Sequence, residues 1–450
     1  MPPPPPNCST FIVSPENVQH VLKTNFDNYP KGPWLRDMLV DLLGGGIFTS
    51  DGEAWFVQRK VAAHMFSVRE FKEHIMTTFQ AHGVKLQRLL DDVAARGEVV
   101  DLFNLYHRFT LDSIAEIAFG VSVGSLDNPD VPFARAFDDA QATVEHRAYL
   151  PGWQYLTWLL PREYRLRASI RVMDAYCAEL IALRRAEGDL SARHDVLSRF
   201  MTMKDEHGVA MYANDDKFLR DVVLNFMIAG RDTTAQALSW ATYCLANHPA
   251  AAAELRNEVA TVCAGGVSAG GGGAAAAAEA AASAAPASAA AAPTEPVGLE
   301  YEVVARQLKY TAAAVNETLR LYPSVPKDIK QCVADDVLPD GTAIRAGSYI
   351  VYTPHAMGRS KALWGDDAGD FRPERFLGAG EKPSPFKFIA FNAGPRTCLG
   401  QHVALVEASY VLAVVFARYN VTLLPGHRVE PADSLTLPMR YGLKATLTRR

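Results

Sequence analysis

The chain has 450 residues, with 45 Lys and Arg against 50 Asp and Glu, and 49% of its residues are hydrophobic and 21% charged. These are the proportions of an ordinary globular protein, and they exclude a collagen, a disulfide-rich miniprotein and a chain that is disordered throughout. A net charge of −5 without a long basic run predicts no nucleic-acid partner.

The chain begins with Met1 and a run of prolines, which predicts a stiff Pro-rich tether over residues 1–10 rather than a signal or transit peptide. The six cysteines stand at distant and irregular positions, which predicts reduced thiols in a cytosol-facing setting. No stretch supplies the roughly 20 strongly apolar residues that a membrane span needs, so we predict no transmembrane segment in this chain.

An early helical pattern carries Trp55 and Arg59, which are four residues apart and therefore share one face. Ser50 and Glu53 precede them at the spacing of a capping box, so we expect the helix to begin there. By itself the pattern is typical of an amphipathic helix with a buried Trp and a solvated Arg. A glycine run at residues 44–46 matches no phosphate-binding loop and is assigned no function.

A longer helical pattern runs from Asn214, the expected N-cap, to the residue before Pro249. Its middle, residues 229–234, reads Ala-Gly-Arg-Asp-Thr-Thr and places polar residues inside the helix. Gly230 has no side chain and Thr233 can hydrogen-bond to the preceding turn, so we expect the helix to open locally and hold water. A helix with an exposed Asp-Thr-Thr face is the alternative.

Glycine and alanine fill almost every position of residues 265–296, and we predict a low-complexity insertion at residues 264–298. Such a composition cannot bury a core, which favours a solvated insertion over an interaction loop. A helical pattern resumes at residues 310–321 and ends before Pro323, and residues 347–352 are typical of a strand.

The strongest local signal is the loop at residues 391–400, Phe-Asn-Ala-Gly-Pro-Arg-Thr-Cys-Leu-Gly. It leads into an apolar pattern at residues 403–416 that is typical of a buried helix. Peptide N–H groups, the positive end of that helix and the cation of Arg396 would stabilise a thiolate at Cys398. Such a thiolate can ligate haem iron. For an isolated cysteine a buried structural thiol is the simpler interpretation, and a zinc site that uses His402 lacks further clustered ligands.

This loop resembles the haem-binding signature of the cytochrome P-450 monooxygenases, Phe-x-x-Gly-x-Arg-x-Cys-x-Gly. The patterns at Trp55, at residues 229–234 and at Glu317 resemble three further elements of that family and stand in the same order. The resemblance implies a mainly α fold with a small β region (α+β), the cytochrome P-450 fold. It also implies a single haem-thiolate domain over residues 11–450, interrupted by the insertion.

The resemblance further implies roles for individual residues. The implied catalytic residues, which deliver protons to iron-bound oxygen, are Asp232 and Thr233. The implied cofactor-binding residues are Cys398, which is also the axial ligand of the haem iron, and Arg396, Trp55, Arg59, Phe391 and Gly394. The residues implied to form a structural network away from the substrate are Glu317 and Arg320, three apart on one helical face, and Arg375 of a Pro-Glu-Arg-Phe segment.

Residues 25–32, 321–326 and 391–396 are similar to one branch of the family, the long-chain fatty-acid omega-hydroxylases of plants and algae. This similarity implies O₂-dependent hydroxylation of a long-chain fatty acid at or near the omega carbon. The cofactor would be haem b (iron protoporphyrin IX), and electrons would come from a separate NADPH-cytochrome reductase. A cytosol-facing position at the endoplasmic reticulum membrane is implied for a full-length form, with peripheral membrane contact.

The family match begins almost directly after the prolines, so we expect the membrane anchor, the Pro-rich hinge and the first helix and strands to be missing. Two other functions stay open. One is a haem-thiolate isomerase or dehydratase of lipid peroxides, which needs no O₂ activation and against which Asp232 and Thr233 argue. The other is a truncated, non-catalytic relic, which predicts no stoichiometric haem.

Overall fold

The computed structural model describes residues 9–65, 69–150, 152–190, 193, 195–204, 211–266, 298–378, 382–432 and 434–450. Residues 1–8 of the predicted tether and residues 267–297 of the predicted insertion lie outside the described residues. Ser9 and Thr10, which the sequence places in the tether, belong instead to the first strand, because they pair with a strand near residue 350.

The described residues are mainly helical, as predicted. The helices are α1 (Pro15–Gln19), α2 (Gly32–Leu43), α3 (Gly52–Met65), α4 (Arg69–Arg96), α5 (Leu102–Phe119), α6 (Pro132–Arg147), α7 (Trp153–Leu156), α8 (Pro161–Ala186), α9 (Val196–Thr202), α10 (Asp216–Asn247), α11 (Pro249–Gly266), α12 (Tyr301–Arg306), α13 (Lys309–Leu321), α14 (Pro354–Gly358), α15 (Lys361–Trp364) and α16 (Gln401–Arg418). Shorter helical turns lie at His20–Thr24, Phe26–Asn28, Pro373–Phe376 and Gly394–Arg396.

The β region is small. Its strands are β1 (Ser9–Ile12), β2 (Val100–Asp101), β3 (Asp328–Gln331), β4 (Asp336–Val337), β5 (Ala343–Ile344), β6 (Tyr349–Tyr352), β7 (Tyr419–Leu423) and β8 (Lys444–Arg449). In the first sheet β6 lies between β1, which runs parallel to it, and β3, which runs antiparallel. In the second sheet β8 lies antiparallel between β2 and β7, and β4 and β5 form a separate antiparallel pair. The predicted combination of a helical body with a small β region is confirmed.

Helix α10 is the central helix, since it packs against α5, α8, α13 and α16. Its N-cap is Asp215, whose side chain accepts a hydrogen bond from the N–H of Phe218 at 2.9 Å, so the prediction of Asn214 is wrong by one residue. It ends at Asn247, before Pro249, as predicted.

Helix α16 follows the cysteine loop and is buried along most of its length, which confirms the predicted core helix. Among the described residues it is the helix whose length and mean hydropathy of 1.2 would suffice for a membrane span. However, 61% of its residues are buried inside the protein. Its apolar composition is therefore explained by packing against α10, α11 and α13.

Candidate active site

The loop at residues 391–400 is closed by its own backbone, since the N–H of Cys398 donates to the carbonyl of Phe391 at 2.8 Å. Gly394 has a φ of 67°, and a Cβ at this position would lie 2.1 Å from the carbonyl oxygen of Leu22. A side chain would therefore be strained by the backbone conformation and would also clash. The glycine of the signature is needed because the loop lies directly against the turn that contains Leu22.

The Cys398 side chain is accessible although protein surrounds it on most sides, and this burial raises the pKa of its thiol. The N–H groups of Gly400 and Gln401 and the guanidinium of Arg59 lower that pKa, because they stabilise the thiolate. The sequence predicts the adjacent Arg396 as the helping cation. In the structure Arg59 has that position, since Arg396 turns away to another partner.

Two guanidinium groups meet at one tryptophan. The Cζ atoms of Arg59 and Arg396 lie 5.9 and 4.4 Å from the ring centroid of Trp55. Arg396 Nη2 also lies 2.6 Å from Asp51 Oδ1. Among the described residues no carboxylate acts on Arg59, and Nε of Arg396 has no hydrogen-bond partner. Burial lowers the pKa of both arginines, so further negative charge at this place would be stabilising.

Helix α3, which carries Trp55 and Arg59, begins at Gly52, close to the predicted start. Ser50 is not at the capping position, because α3 begins at Gly52 and Asp51 is the residue directly before it; the Ser50 hydroxyl donates to the carbonyl of Gly46 at 2.9 Å. The amide of Gln58 donates to the carbonyl of Gly45 at 3.1 Å and so ties α3 to the glycine run. Gln58 was not singled out by the sequence, because nothing in its spacing identifies that distant partner.

The second group of predicted site residues lies in the middle of α10. The hydroxyl of Thr233 donates to the carbonyl four residues earlier at 2.6 Å, as predicted, but α10 stays helical throughout, so the predicted local opening is wrong. Asp232 is buried beside Arg231, which also excludes the exposed polar face. Gly230 is required by packing, because a Cβ there would lie 2.4 Å from Cγ1 of Ile114 in α5.

Residues from two distant segments close around Thr233. The hydroxyl of Ser324 donates to the carbonyl of Thr233 at 2.7 Å. The N–H of Leu437 donates to the carbonyl of Ser324 at 3.0 Å, and the indole N–H of Trp240 donates to the carbonyl of Leu437 at 2.8 Å. These hydrogen bonds fix one wall beside the polar centre of α10. Local sequence patterns gave no signal for them, since the partners are far apart along the chain.

The three residues of the implied structural network lie together. Glu317 and Arg320 are both fully buried, and Arg320 Nη2 donates to Glu317 Oε1 at 2.7 Å. Arg375 Nε donates to the same oxygen at 3.2 Å, and the N–H of Arg372 does so at 2.8 Å. Arg320 also donates to the carbonyl of Ala368 at 2.6 Å. The network therefore joins α13 to the turn Pro373–Phe376 and the segment before it.

The zinc interpretation finds no support among the described residues, which contain no cluster of three potential ligands. His402 instead lies edge to face with Tyr301, with ring centroids 5.8 Å apart. An accessible thiol just before a buried helix, with the half-buried Arg59 and the buried Arg396 in the same region, is the donor set of a haem-thiolate protein. The thiol suits the iron and the cations suit the carboxylates of the porphyrin.

The comparisons with known proteins agree with this class. The Cytochrome P450 family model matches residues 6–269 and 301–445, and the chain therefore belongs to the cytochrome P450 family. Cytochrome P450 704B1 of Arabidopsis thaliana is 38% identical over 461 residues, which cover 98% of this chain and 86% of that protein. Cytochrome P450 86B1 of the same plant is 38% identical over 456 residues, with coverage of 98% and 77%.

A third relative, Alkane hydroxylase MAH1 of Arabidopsis thaliana, is 32% identical over 455 residues, with coverage of 98% of this chain and 84% of that protein. As a member of the family, the chain is an oxidoreductase of the monooxygenase class with a haem-thiolate cofactor. Such enzymes use O₂, a redox partner that supplies electrons, and a lipophilic substrate.

Proposed function

We propose that this protein hydroxylates a long-chain fatty acid at or near the omega carbon, with haem b as its cofactor. Electrons come from a separate NADPH-cytochrome reductase. The observation that carries the chemistry is the accessible thiol of Cys398 beside the cation of Arg59. The fatty-acid substrate is supported by the similarity of three segments to omega-hydroxylases and by a relative named as an alkane hydroxylase, which acts on a similar saturated chain.

Each residue then has a distinct task. Cys398 ligates the iron, and Arg396, Arg59 and Trp55 hold the porphyrin carboxylates. Phe391 and Gly394 set the shape of the loop that presents the thiol. When bound, the haem supplies the activation of O₂ for insertion into a C–H bond. The chain supplies the protons.

Thr233 and Asp232 are the proposed route for those protons. The hydroxyl of Thr233 is held by the carbonyl four residues earlier, and its own carbonyl is held by Ser324, so the side chain and backbone are both fixed. Asp232 lies on the neighbouring position with its carboxylate buried. A fixed hydroxyl and a buried carboxylate at consecutive positions can each hold a proton for this route.

The test is turnover of hexadecanoic acid by the protein reconstituted with haem and an NADPH-cytochrome reductase. We expect an omega-hydroxylated product from the wild type. Thr233→Ala should still consume NADPH and O₂ but release peroxide, with product per NADPH lower by roughly tenfold or more. Cys398→Ala should make no product and should lose the strongly red-shifted Soret band of the reduced protein with carbon monoxide. Cys263→Ala is the matched control and should keep both.

Some results would overturn the proposal. Full coupling in Thr233→Ala would remove Thr233 from the proton route. Turnover of a fatty-acid hydroperoxide without reductase and O₂, together with no hydroxylation, would replace the function by that of an isomerase or dehydratase. A wild-type protein that takes up no haem under conditions where its fold is intact would favour the non-catalytic relic.

We also propose peripheral contact with the endoplasmic reticulum membrane from the cytosolic side. The segment between α6 and α8 exposes Tyr155 and Trp158, and α8 begins with the exposed Arg162 and Arg165. Exposed aromatic rings beside basic side chains suit the interface of an anionic bilayer.

The membrane contact is tested by sedimentation with phosphatidylcholine–phosphatidylserine vesicles. Replacing Tyr155 and Trp158 together by Ser should lower the bound fraction at least severalfold, because the inserted rings supply apolar area. Tyr441→Ser is the control, since Tyr441 is another exposed ring, next to Arg428. Equal binding of both variants would remove this surface from the proposal.

A further inference from the structure

A histidine in α5 faces the proposed proton donor of α10. Nε2 of His107 lies 4.0 Å from Oδ1 of Asp232, and both side chains are largely buried, with 11% and 4% exposed. Among the described residues Oδ1 of Asp232 has no hydrogen-bond partner, although Nη1 of Arg231 lies 3.2 Å away. A buried carboxylate oxygen without a hydrogen bond is costly, so a group that faces it and can donate a hydrogen bond would be stabilising.

The tautomer of His107 follows from its other contact. Nδ1 lies 2.9 Å from the carbonyl oxygen of Phe103, and a carbonyl can only accept, so Nδ1 must carry the hydrogen. In the neutral ring Nε2 is therefore bare and faces Asp232 as a second acceptor. Attraction between the two groups requires a proton on one of them. A small rotation closes the 4.0 Å gap once that proton is present.

Three charged groups act on the ring of His107: Arg231 and Asp232 from α10, and Asp138 from α6. Burial and then Arg231 lower the pKa of His107, whereas Asp232 and Asp138 raise it. Arg231 Nη1 is bound to Asp138 Oδ1 at 2.6 Å, and Asp138 is mostly exposed. The lowered pKa favours the neutral ring, and one of the charged groups that act on the ring, Asp138, reaches solvent.

We propose that His107 is a positioning residue for the monooxygenase reaction and acts through Asp232. Its ring takes up a proton from solvent and passes that proton to the carboxylate of Asp232. The inference rests on the proposed roles of Asp232 and Thr233. In the transfer a solvent proton bonds to Nε2 of the neutral ring. The Nε2–H bond then breaks as an O–H bond forms at Oδ1 of Asp232, which leaves a neutral ring and an uncharged carboxyl. No electron moves, and Asp232 is ready to give its proton toward Thr233.

The first test measures the ring itself and needs no turnover. We would label the histidines with ¹³C at Cε1 in the full haem-loaded protein, reduced and bound to carbon monoxide so that it is diamagnetic. The His107 signal is the one that His107→Gln lacks. In Asp232→Asn it should titrate at a lower pH than in the wild type, because the carboxylate that favours the charged ring is gone. An unchanged midpoint would overturn the proposal.

The second test measures product per NADPH between pH 6 and 8 with hexadecanoic acid and the reductase. Gln keeps the size and polarity of the side chain but cannot carry a proton in this way. His107→Gln should lower product per NADPH by roughly tenfold, raise the solvent isotope effect and flatten the pH profile. His248→Gln is the matched control, because His248 makes the same Nδ1 contact, at 2.7 Å to the carbonyl of Cys244, but lies against Phe371.

The outcomes separate the two levels of inference. If Thr233→Ala and Asp232→Asn uncouple the enzyme while His107→Gln behaves as His248→Gln does, the assignment of His107 fails alone. If all of these variants stay fully coupled, the proposed proton route fails as well. Haem content and the carbon monoxide spectrum of each variant establish that a loss of coupling does not come from a loss of fold.

Discussion

Two glutamates on core helices are both buried, but their surroundings differ in the hydrogen bonds that they provide. Glu317 of α13 is fully buried and receives hydrogen bonds from Arg320, from Arg375 and from the backbone of Arg372. Glu407 of α16 is also buried, but its Oε1 has no hydrogen-bond partner among the described residues. Burial raises the pKa of Glu407 to about 8, and the hydroxyl of Ser113 opposes this rise only in part.

The difference shows that burial of a carboxyl group does not by itself decide its charge. At Glu317 the surrounding donors replace the water that the carboxylate loses, so the ion is kept in the core. At Glu407 no cation among the described residues compensates, so keeping the proton costs less than keeping the charge. The first region is a buried ion-pair network that connects secondary-structure elements, and we call it the Glu317 network. The second is an apolar contact between helices that contains a neutral acid.

The largest change in stability should come from removing the central carboxylate of the Glu317 network. Glu317→Gln removes the negative charge and leaves the buried Arg320 without its counter-ion, so we expect the free energy of unfolding to fall by about 3–5 kcal/mol. Urea unfolding measures it. Glu302→Gln is the control, because Glu302 pairs with Arg306 on the surface and should contribute less than about 1 kcal/mol. Equal losses would mean that the buried network adds no stability of its own.

The second prediction concerns Glu407 and the dependence of stability on pH. The pKa of Glu407 is raised from 4.5 to about 8 in the folded state, so between these values the unfolded chain loses the proton while the folded protein keeps it. Stability is therefore full below pH 4.5 and declines as pH rises toward 8. Relative to Glu407→Gln, the wild type should lose about 3–4 kcal/mol of its free energy of unfolding between pH 5 and 8. Parallel curves for the two proteins would show that Glu407 is ionised in the fold.

The smallest change in stability should come from removing one cation of the Glu317 network while its central carboxylate is kept. Arg375→Gln leaves Glu317 with its two bonds from Arg320, so we expect a loss of about 1–2 kcal/mol. The double variant Glu317→Gln/Arg375→Gln should cost less than the sum of the two single changes, because the second change removes a partner that is already absent. Strict additivity in urea unfolding would show that the two side chains do not act as one network.

Glu317 and Glu407 also differ in how far their surroundings can be predicted from the sequence. Glu317 and Arg320 lie three residues apart on one helix, so their proximity follows from helical geometry, and the two side chains are hydrogen-bonded. The loop at residues 391–400 is similarly local, and its glycine and cysteine can be recognised from spacing. Glu407 gives no such signal, because it stands alone in an apolar pattern and the hydroxyl that acts on its pKa, that of Ser113, belongs to α5.

The glycine run before α3 shows the same limit. It has no recognisable motif, yet a Cβ at Gly44 would lie 2.0 Å from the carboxylate of Asp221, and one at Gly46 would lie 2.0 Å from the amide of Asn225. Asp221 Oδ2 accepts a hydrogen bond from the N–H of Gly45 at 2.9 Å. The glycines are required by a contact with α10, which lies far along the chain. The placement of His107 opposite Asp232 is hidden from sequence for the same reason.

The parallel pairing of β1 with β6 has a consequence for biosynthesis. Ser9–Ile12 match Tyr349–Tyr352 residue by residue, so the first strand gains its partner only after more than 300 further residues have been made. At about 5–20 residues per second the ribosome needs roughly 20 to 70 s to reach that point. During this time the edge of β1 has no native strand to pair with. The sheet that contains the first strand can therefore form only after Tyr352 has been made.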